Sequence, residues 1–301
     1  VKRISADSNR PCHKIDYLVF QSAEVPEIVG NSENKDENVS RFFGSYSMAY
    51  LRTVYVPAES YARYMEEYKL TENVRYVKTI GDQDFVIKDG ILTVYAGESK
   101  NVTIPEGVTE IGSYAFYQSD IESVEFPSGL KKIGKGAFSH ADSLTGTLKL
   151  PEGLEEIGEQ AFEGCSGLTG NLYIPDTVTT LGSGAFSGCR AMTGELHISE
   201  SLGEIASRVF MDCQFTGELN IPDNIVKIGE ESFRENNFTG EVIIPNKVTE
   251  IGRNALPYGK INSIVFGENV EHIGDLYSQS LTTLSLLSPE PPELENINIF
   301  F

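Results

Sequence analysis

The chain has 301 residues, 40% of them apolar, which is enough for one long core, and its formal charge is −20 with a pI near 4.6. Lys and Arg total 24 against 44 acidic residues, so the charge argues against nucleic acid as a partner. No apolar run approaches the length of a membrane span and no signal peptide is read; with Val1 in first place, a removed targeting segment is the expectation.

The first eighty residues show no period. Tyr17-Leu18-Val19-Phe20 reads as a strand, the polar stretch 30–38 as a mobile loop, and Thr53-Val54-Tyr55-Val56-Pro57 as a second strand. Residues 58–70 predict a short helix with Tyr61, Tyr64, Met65 and Tyr68 on one packing face at i, i+3, i+4 and i+7. A linker is expected near 74–81. The segment 84–97, D-F-V-I-K-D-G-I-L-T-V-Y-A-G, predicts a hairpin turning at Lys88-Asp89-Gly90.

Beyond the hairpin the chain repeats. Residues 168–192 read L-T-G-N-L-Y-I-P-D-T-V-T-T-L-G-S-G-A-F-S-G-C-R-A-M, and similar stretches lie before and after. Pro105, Pro127, Pro151, Pro175, Pro222 and Pro245 share one position, with Ser199 and Gly267 standing in elsewhere. Six residues later comes Ile-Gly or a variant, and five beyond that Phe116, Phe138, Phe162, Phe186, Phe210, Phe233 or Leu256. A fixed period of this size marks a solenoid whose turns stack only on their neighbours.

Each part of the repeat has a physical task. Segments such as Val102-Thr103-Ile104 and Leu172-Tyr173-Ile174 alternate apolar, variable, apolar, which predicts a strand with one buried face, and together they predict one parallel ladder. The proline ends the strand and presets a turn, in which Gly107, Gly129 and Gly153 are expected at positive φ. The V-x-x-I-G segment turns two more aliphatic residues inward. The phenylalanines should stack as a ladder, each burial stabilising by roughly 1.5–3 kcal/mol as an upper figure.

The pattern I-P-x-x-V-x-x-I-G-x-x-A-F-x-G-C-x-x-L resembles the BspA-like leucine-rich repeat family of bacterial cell-surface proteins, over residues 100–283 in about eight turns. Ser199, Ala206 and the degraded Asp275-Leu276-Tyr277 depart from it. The resemblance implies a β-rich solenoid, a leucine-rich repeat array with a parallel sheet on one face, used outside the cell for adhesion or protein recognition rather than catalysis. V-Y-V-P-A-E-S-Y, at 54–61, resembles the family's capping unit. Residues 18–28 also align without gaps on 284–294, and Phe42-Phe43 resembles Phe300-Phe301. The expected organisation is therefore a small α/β cap-like unit over 1–80, or the end of a preceding array; a solenoid over 81–283; and the start of a C-terminal cap over 284–301. A piece of a longer protein is the expectation.

The search for chemistry yields little. Cys165, Cys189 and Cys213 recur three residues after their phenylalanines, where Ser119, Ala141 and Asn236 stand in other turns, so they read as small residues filling a buried corner. A row of thiols on successive turns is no tetrahedral metal site, and in-register spacing is too long for disulfides. Gly129 to Lys135 fits most of a P-loop, but Gly136 replaces the magnesium-binding hydroxyl and the repeat explains the glycines. The four histidines are scattered, and no nucleophile–base pair is evident, so neither an enzyme nor a cofactor is expected. Acidic residues after the proline, Glu106, Glu152, Asp176, Glu200, Asp223 and Glu268, read as solvated turns rather than a calcium ladder.

What core packing leaves undictated is the outward row Thr103, Glu125, Lys149, Tyr173, His197, Asn220, Ile243 and Val265. At about 4.8 Å per strand it makes a strip of roughly 35 Å, suited to a protein or an extended polymer. The candidate binding residues are Glu125, Lys149, Tyr173, His197 and Asn220, with Asn171, Glu195 and Glu218 alongside. A protein or glycan ligand is expected, host matrix included. The alternatives are a structural spacer or an accessory domain of an enzyme.

Overall fold

The computed structural model of the chain describes residues 3–5, 17–20, 27–29, 53–57, 60–68, 76–80, 84–257, 260–278, 280–294 and 297–299. The loop expected at 30–38 and both Phe-Phe pairs lie outside them. Two compact units are present, Val1–Glu98 and Ser99–Phe301.

In the first unit, strands Tyr17–Val19, Thr53–Pro57 and Tyr76–Ile80 form a parallel sheet in that order. The helix α1, Tyr61–Glu67, buries Tyr61, Tyr64 and Met65, and Tyr68 beyond its end is buried too, as the i, i+3, i+4, i+7 spacing requires. Phe20 sits 5.0 Å from Tyr64 and 5.4 Å from Tyr68, ring centre to ring centre. The linker expected near 74–81 is instead the third strand. Y-V-K-T-I is rich in β-branched residues, and Val77 lies opposite Val54. Phe85–Lys88 and Ile91–Tyr95 form the antiparallel hairpin; Asp89 (φ 52°) and Gly90 (φ 79°) supply the two left-handed residues of a type I′ turn.

The second unit is the parallel solenoid. Among the described residues every strand pairing between its turns is parallel, and most pairings fall along two lines. The line before the proline falls into three pieces: Asn101–Thr103 with Ser123–Glu125; Leu172–Tyr173 with Leu196–His197; and Gly240–Ile243, Ile261–Phe266 and Thr283–Leu286. Residues 148–150 and 219–221 form no strand, so the single unbroken ladder expected here is interrupted. Repeat length changes at both gaps, but it also changes between Ile243 and Val265, where the strands stay paired with a register shift at Gly240/Glu241, so length alone does not set the gaps. Thr103 to Glu125 spans 22 residues and Glu125 to Lys149 spans 24; Tyr173 to His197 spans 24 and His197 to Asn220 spans 23.

The more continuous line runs through the Ile-Gly segments: Glu110–Ile111, Lys132–Ile133, Glu156–Ile157 and Thr180–Leu181, then Glu204–Ile205, Lys227–Ile228, Glu250–Ile251, His272–Ile273 and Glu293–Leu294. The glycine N–H continues the bonding to the isoleucine carbonyl of the preceding turn, at 2.7 Å from Gly134 to Ile111 and 2.8 Å from Gly158 to Ile133. A Cβ on Gly134 would lie 2.8 Å from the Ile111 oxygen and 2.8 Å from the Ser113 nitrogen, so the glycine permits the close approach. Ala206 stands where the other turns have this glycine, and the line is interrupted there, between Thr180–Leu181 and Glu204–Ile205.

Ion pairs on this line also connect successive turns. Lys131, Lys132 and Lys135 meet Glu155, Glu156 and Glu159 at 2.8, 3.3 and 3.1 Å. Exposed pairs of this kind contribute little stability each, about 0–1 kcal/mol, but three aligned pairs favour this stacking order over a slipped one.

The core is the phenylalanine ladder. Phe116, Phe138, Phe162 and Phe186 stack nearly parallel at centroid distances of 4.7, 5.0 and 5.2 Å. Phe186–Phe210 widens to 6.1 Å across the Ala206 turn. The turn after the proline closes by an N–H to carbonyl bond from the third residue on, as from Leu130 to Pro127 and Leu154 to Pro151. Only Gly107 of the three glycines expected at positive φ adopts it. The other two turns need no left-handed residue, which is the ordinary condition of a type I turn.

Cys165, Cys189 and Cys213 are free and fully buried. Their thiols donate to the carbonyls of Phe138, Phe162 and Phe186 on the preceding turn, at 3.0, 3.2 and 3.0 Å. In the next turn the Asn236 amide takes over, donating to Phe210 at 2.7 Å. Burial pushes the Cys165 and Cys189 thiols well up. In a Cys12→Ser variant, a thiol reagent at neutral pH should therefore label almost nothing in the native protein, and three groups once the chain is unfolded without reductant. Rapid native labelling, or fewer than three thiols on unfolding, would contradict the buried row.

Candidate binding face

The strands before the proline turn one side chain inward and the next outward. Inward Leu172, Ile174, Leu196 and Ile198 are buried; outward Tyr173 is 45% exposed and His197 half-exposed. Register places Tyr173 opposite His197, and their rings stack at 4.4 Å and 7°. His197 Nε2 lies 3.3 Å from Asp176 Oδ1, which also accepts the Glu200 N–H at 3.0 Å. That backbone bond, with the His197 contact second, holds the Asp176 carboxyl below the usual range. Asn171 Oδ1 accepts the Glu195 N–H at 3.0 Å, so it ties the same two turns together.

Asn171, Tyr173, Glu195 and His197 are thus gathered on two adjacent strands. Glu125 is exposed two turns away and accepts a bond from the Thr103 hydroxyl at 3.0 Å. Lys149, Glu218 and Asn220 are exposed on segments that form no strand. Asp176 was a turn residue in sequence terms. Its place beside His197 depends on the stacking of two turns, which no local motif signals.

A second surface feature had no sequence signal. A shallow groove of about 480 Å³ runs over the Ile-Gly line, with Lys227, Glu250, Arg253, His272 and Glu293 among its lining residues. Its polar side chains pair across turns: Lys227 with Glu250 at 2.8 Å, Arg253 with Asp275 at 3.2 Å and the His272 ring with Glu293 at 2.9 Å. Among the described residues no group of three or more His, Cys, Asp or Glu is arranged to hold a metal ion. No helix among them is long and apolar enough to cross a membrane.

The family model for the BspA type leucine rich repeat region matches residues 95–192 and 168–284, in six copies. The chain belongs to the BspA-type leucine-rich repeat family. No curated protein matches the chain. Among solved structures, this BspA-type array is similar to a leucine rich repeat protein of T. pallidum at 26% identity, covering 58% of this chain and 78% of that one, with a TM-score of 0.44. A leucine-rich repeat protein from Bacteroides ovatus matches at 20% identity over 68% of each chain, TM-score 0.45. A leucine rich cell surface protein from Faecalibacterium prausnitzii matches at 19% identity over 68% of this chain and 83% of that one, TM-score 0.37.

Proposed function

We propose that this BspA-type array is a recognition or adhesion module of a bacterial surface protein, binding a protein or an extended glycan through the outward strip before the proline. The observation that carries the reading is the Tyr173–His197 pair. Two stacked rings stand exposed at mid-array beside Asn171, Glu195 and Asp176, in a position that core packing does not require. Aromatic residues at the centre of a contact surface are where binding energy concentrates. The family gives the reading its context, and a non-catalytic role agrees with it.

The test begins with a screen of the chain against glycans and host matrix proteins. Replacing Tyr173 and His197 together by Ala should weaken the captured ligand at least tenfold and leave the melting temperature nearly unchanged. The control is Thr180→Ala, exposed on the Ile-Gly line. Gln160, beside the Phe162 anchor, is unsuitable as a control because its φ of 56° makes substitution there a backbone perturbation. Equal loss from the control would move the site to the Ile-Gly line. A screen without any capture would leave the spacer reading ahead.

A further inference from the structure

In the turns of Phe116, Phe138, Phe162 and Phe186, the residues two before and two after the phenylalanine have left-handed backbone. Tyr114, Gly136, Gln160 and Gly184 lie before it, at φ of 60°, 57°, 56° and 65°; Gln118, His140, Gly164 and Gly188 lie after it, at 50°, 56°, 71° and 77°. Glycine takes this conformation without strain, and ring-bearing residues seldom take it. Tyr114 and His140 do so at positions that glycine fills in neighbouring turns. The core does not require them, since Tyr114 is half-buried and His140 exposed. Backbone strain kept where packing does not demand it points to a site.

Both rings have a seat prepared for them. A Cβ on Gly136 would lie 2.5 Å from the Tyr114 ring, and one on Gly164 would lie 2.5 Å from the His140 ring. In each case the following turn carries glycine at the matching position, and the ring uses the space this leaves. Tyr117 contacts both, its ring 6.1 Å from Tyr114 at 90° and 6.3 Å from His140 at 82°. Burial, then the neighbouring Tyr114, pushes the Tyr117 hydroxyl up to about 12, and Glu163 of the third turn adds to the effect. Burial also pushes the Glu163 carboxyl up, against the pull of His140. Three rings and a half-buried carboxyl thus gather over three turns, a span of roughly 10 Å at about 4.8 Å per turn.

We propose that Tyr114, Tyr117 and His140 form a second binding site, a platform for a sugar ring of a neutral glycan. The C–H face of a pyranose packs on aromatic faces, while its hydroxyls need donors and acceptors at the rim. The Tyr117 hydroxyl keeps its proton throughout the neutral range and donates, and the Glu163 carboxyl accepts. The glycines behind the rings fix their orientation, so little side-chain freedom is lost when a ligand settles. This platform lies at the phenylalanine corner, whereas Tyr173 and His197 lie on the strands before the proline, and neither reading depends on the other.

Saturation-transfer NMR on the whole chain tests the platform. The probes are methyl glucoside, methyl galactoside, methyl N-acetylglucosaminide, cellobiose and lactose, with choline chloride as the cationic comparison. At least one sugar should bind with a Kd of roughly 1 mM, its C–H face receiving the strongest transfer. Tyr114→Gly with His140→Gly installs the residue that neighbouring turns carry, so the melting temperature should stay within about 4 °C while affinity falls at least tenfold. Glu163→Gln should weaken the same sugar at least threefold, and this loss decides the matter if the glycine variant does not fold. Tyr173→Ala with His197→Ala should leave sugar binding unchanged. Absence of sugar binding, or binding that survives loss of both rings, would overturn the proposal. So would binding lost in the Tyr173 and His197 variant, which would give the sugar to the strip, or capture of choline in place of every sugar.

Discussion

Phe162→Ala should cost about 3–5 kcal/mol, the largest loss expected from any single truncation in the array. The Phe162 ring is fully buried and stacks on two others, at 5.0 Å to Phe138 and 5.2 Å to Phe186. Removing it leaves a cavity bordered by aromatic faces that cannot collapse inward without pulling two turns out of hydrogen-bond register. Phe162 N–H bonds the Ala185 carbonyl at 2.7 Å, and Phe138 N–H bonds the Ala161 carbonyl at 2.7 Å, so the backbone holds those rings apart. Phe162→Leu should recover part of the loss. Urea unfolding followed by far-ultraviolet circular dichroism measures both variants, and a loss below about 1 kcal/mol for Phe162→Ala would show that the stack is dispensable.

Gly134→Ala adds a single methyl group and should nonetheless destabilise by about 2–3 kcal/mol, the upper part of the range for overpacking. The methyl would meet the Ile111 oxygen, the Ser113 nitrogen and the Gly112 carbonyl carbon, all within 2.9 Å, and backbone atoms have no rotamer by which to yield. The array already contains the comparison. Ala206 occupies the matching position three turns further along the same stack, and there the Ile-Gly line is broken and the neighbouring phenylalanines stand 6.1 Å apart. Chemical denaturation of Gly134→Ala beside the parent decides the point, and equal midpoints would mean that the turns have slack at this line.

Periodicity made much of this fold readable. The phenylalanine stack, the cysteine row and the strands before the proline each follow from one residue type recurring at one phase. Features that depend on two turns at once were not readable. Whether 148–150 completes a strand is decided by the turns on either side of it, and the second strand line needs only two residues per turn, too few for alternation to show. Tyr76–Ile80 reads as a linker from its place between two units, and its strand character shows only in its pairing with Thr53–Pro57. At the candidate face, outward orientation was legible from alternation with Leu172 and Ile174. The contact between the Tyr173 and His197 rings, and the Asp176 carboxylate beside them, arise only from stacking.

The interruption at Ala206 also has a mechanical meaning. A stack of turns pulled from its ends carries the load through its joints in series, so the joint with the fewest bonds sets the strength of the whole. The joint between the turns of Leu181 and Ile205 lacks the Ile-Gly bonds, and keeps those from Gly184 to Ser207, Phe186 to Val209, Gly188 to Met211, Leu172 to Glu195, Ile174 to His197 and Gly194 to Gly170. Tyr173 and His197 face each other across that same joint. A ligand gripping both rings would tie together two turns that lack their Ile-Gly bonds, so that binding would reinforce the very joint it rests on.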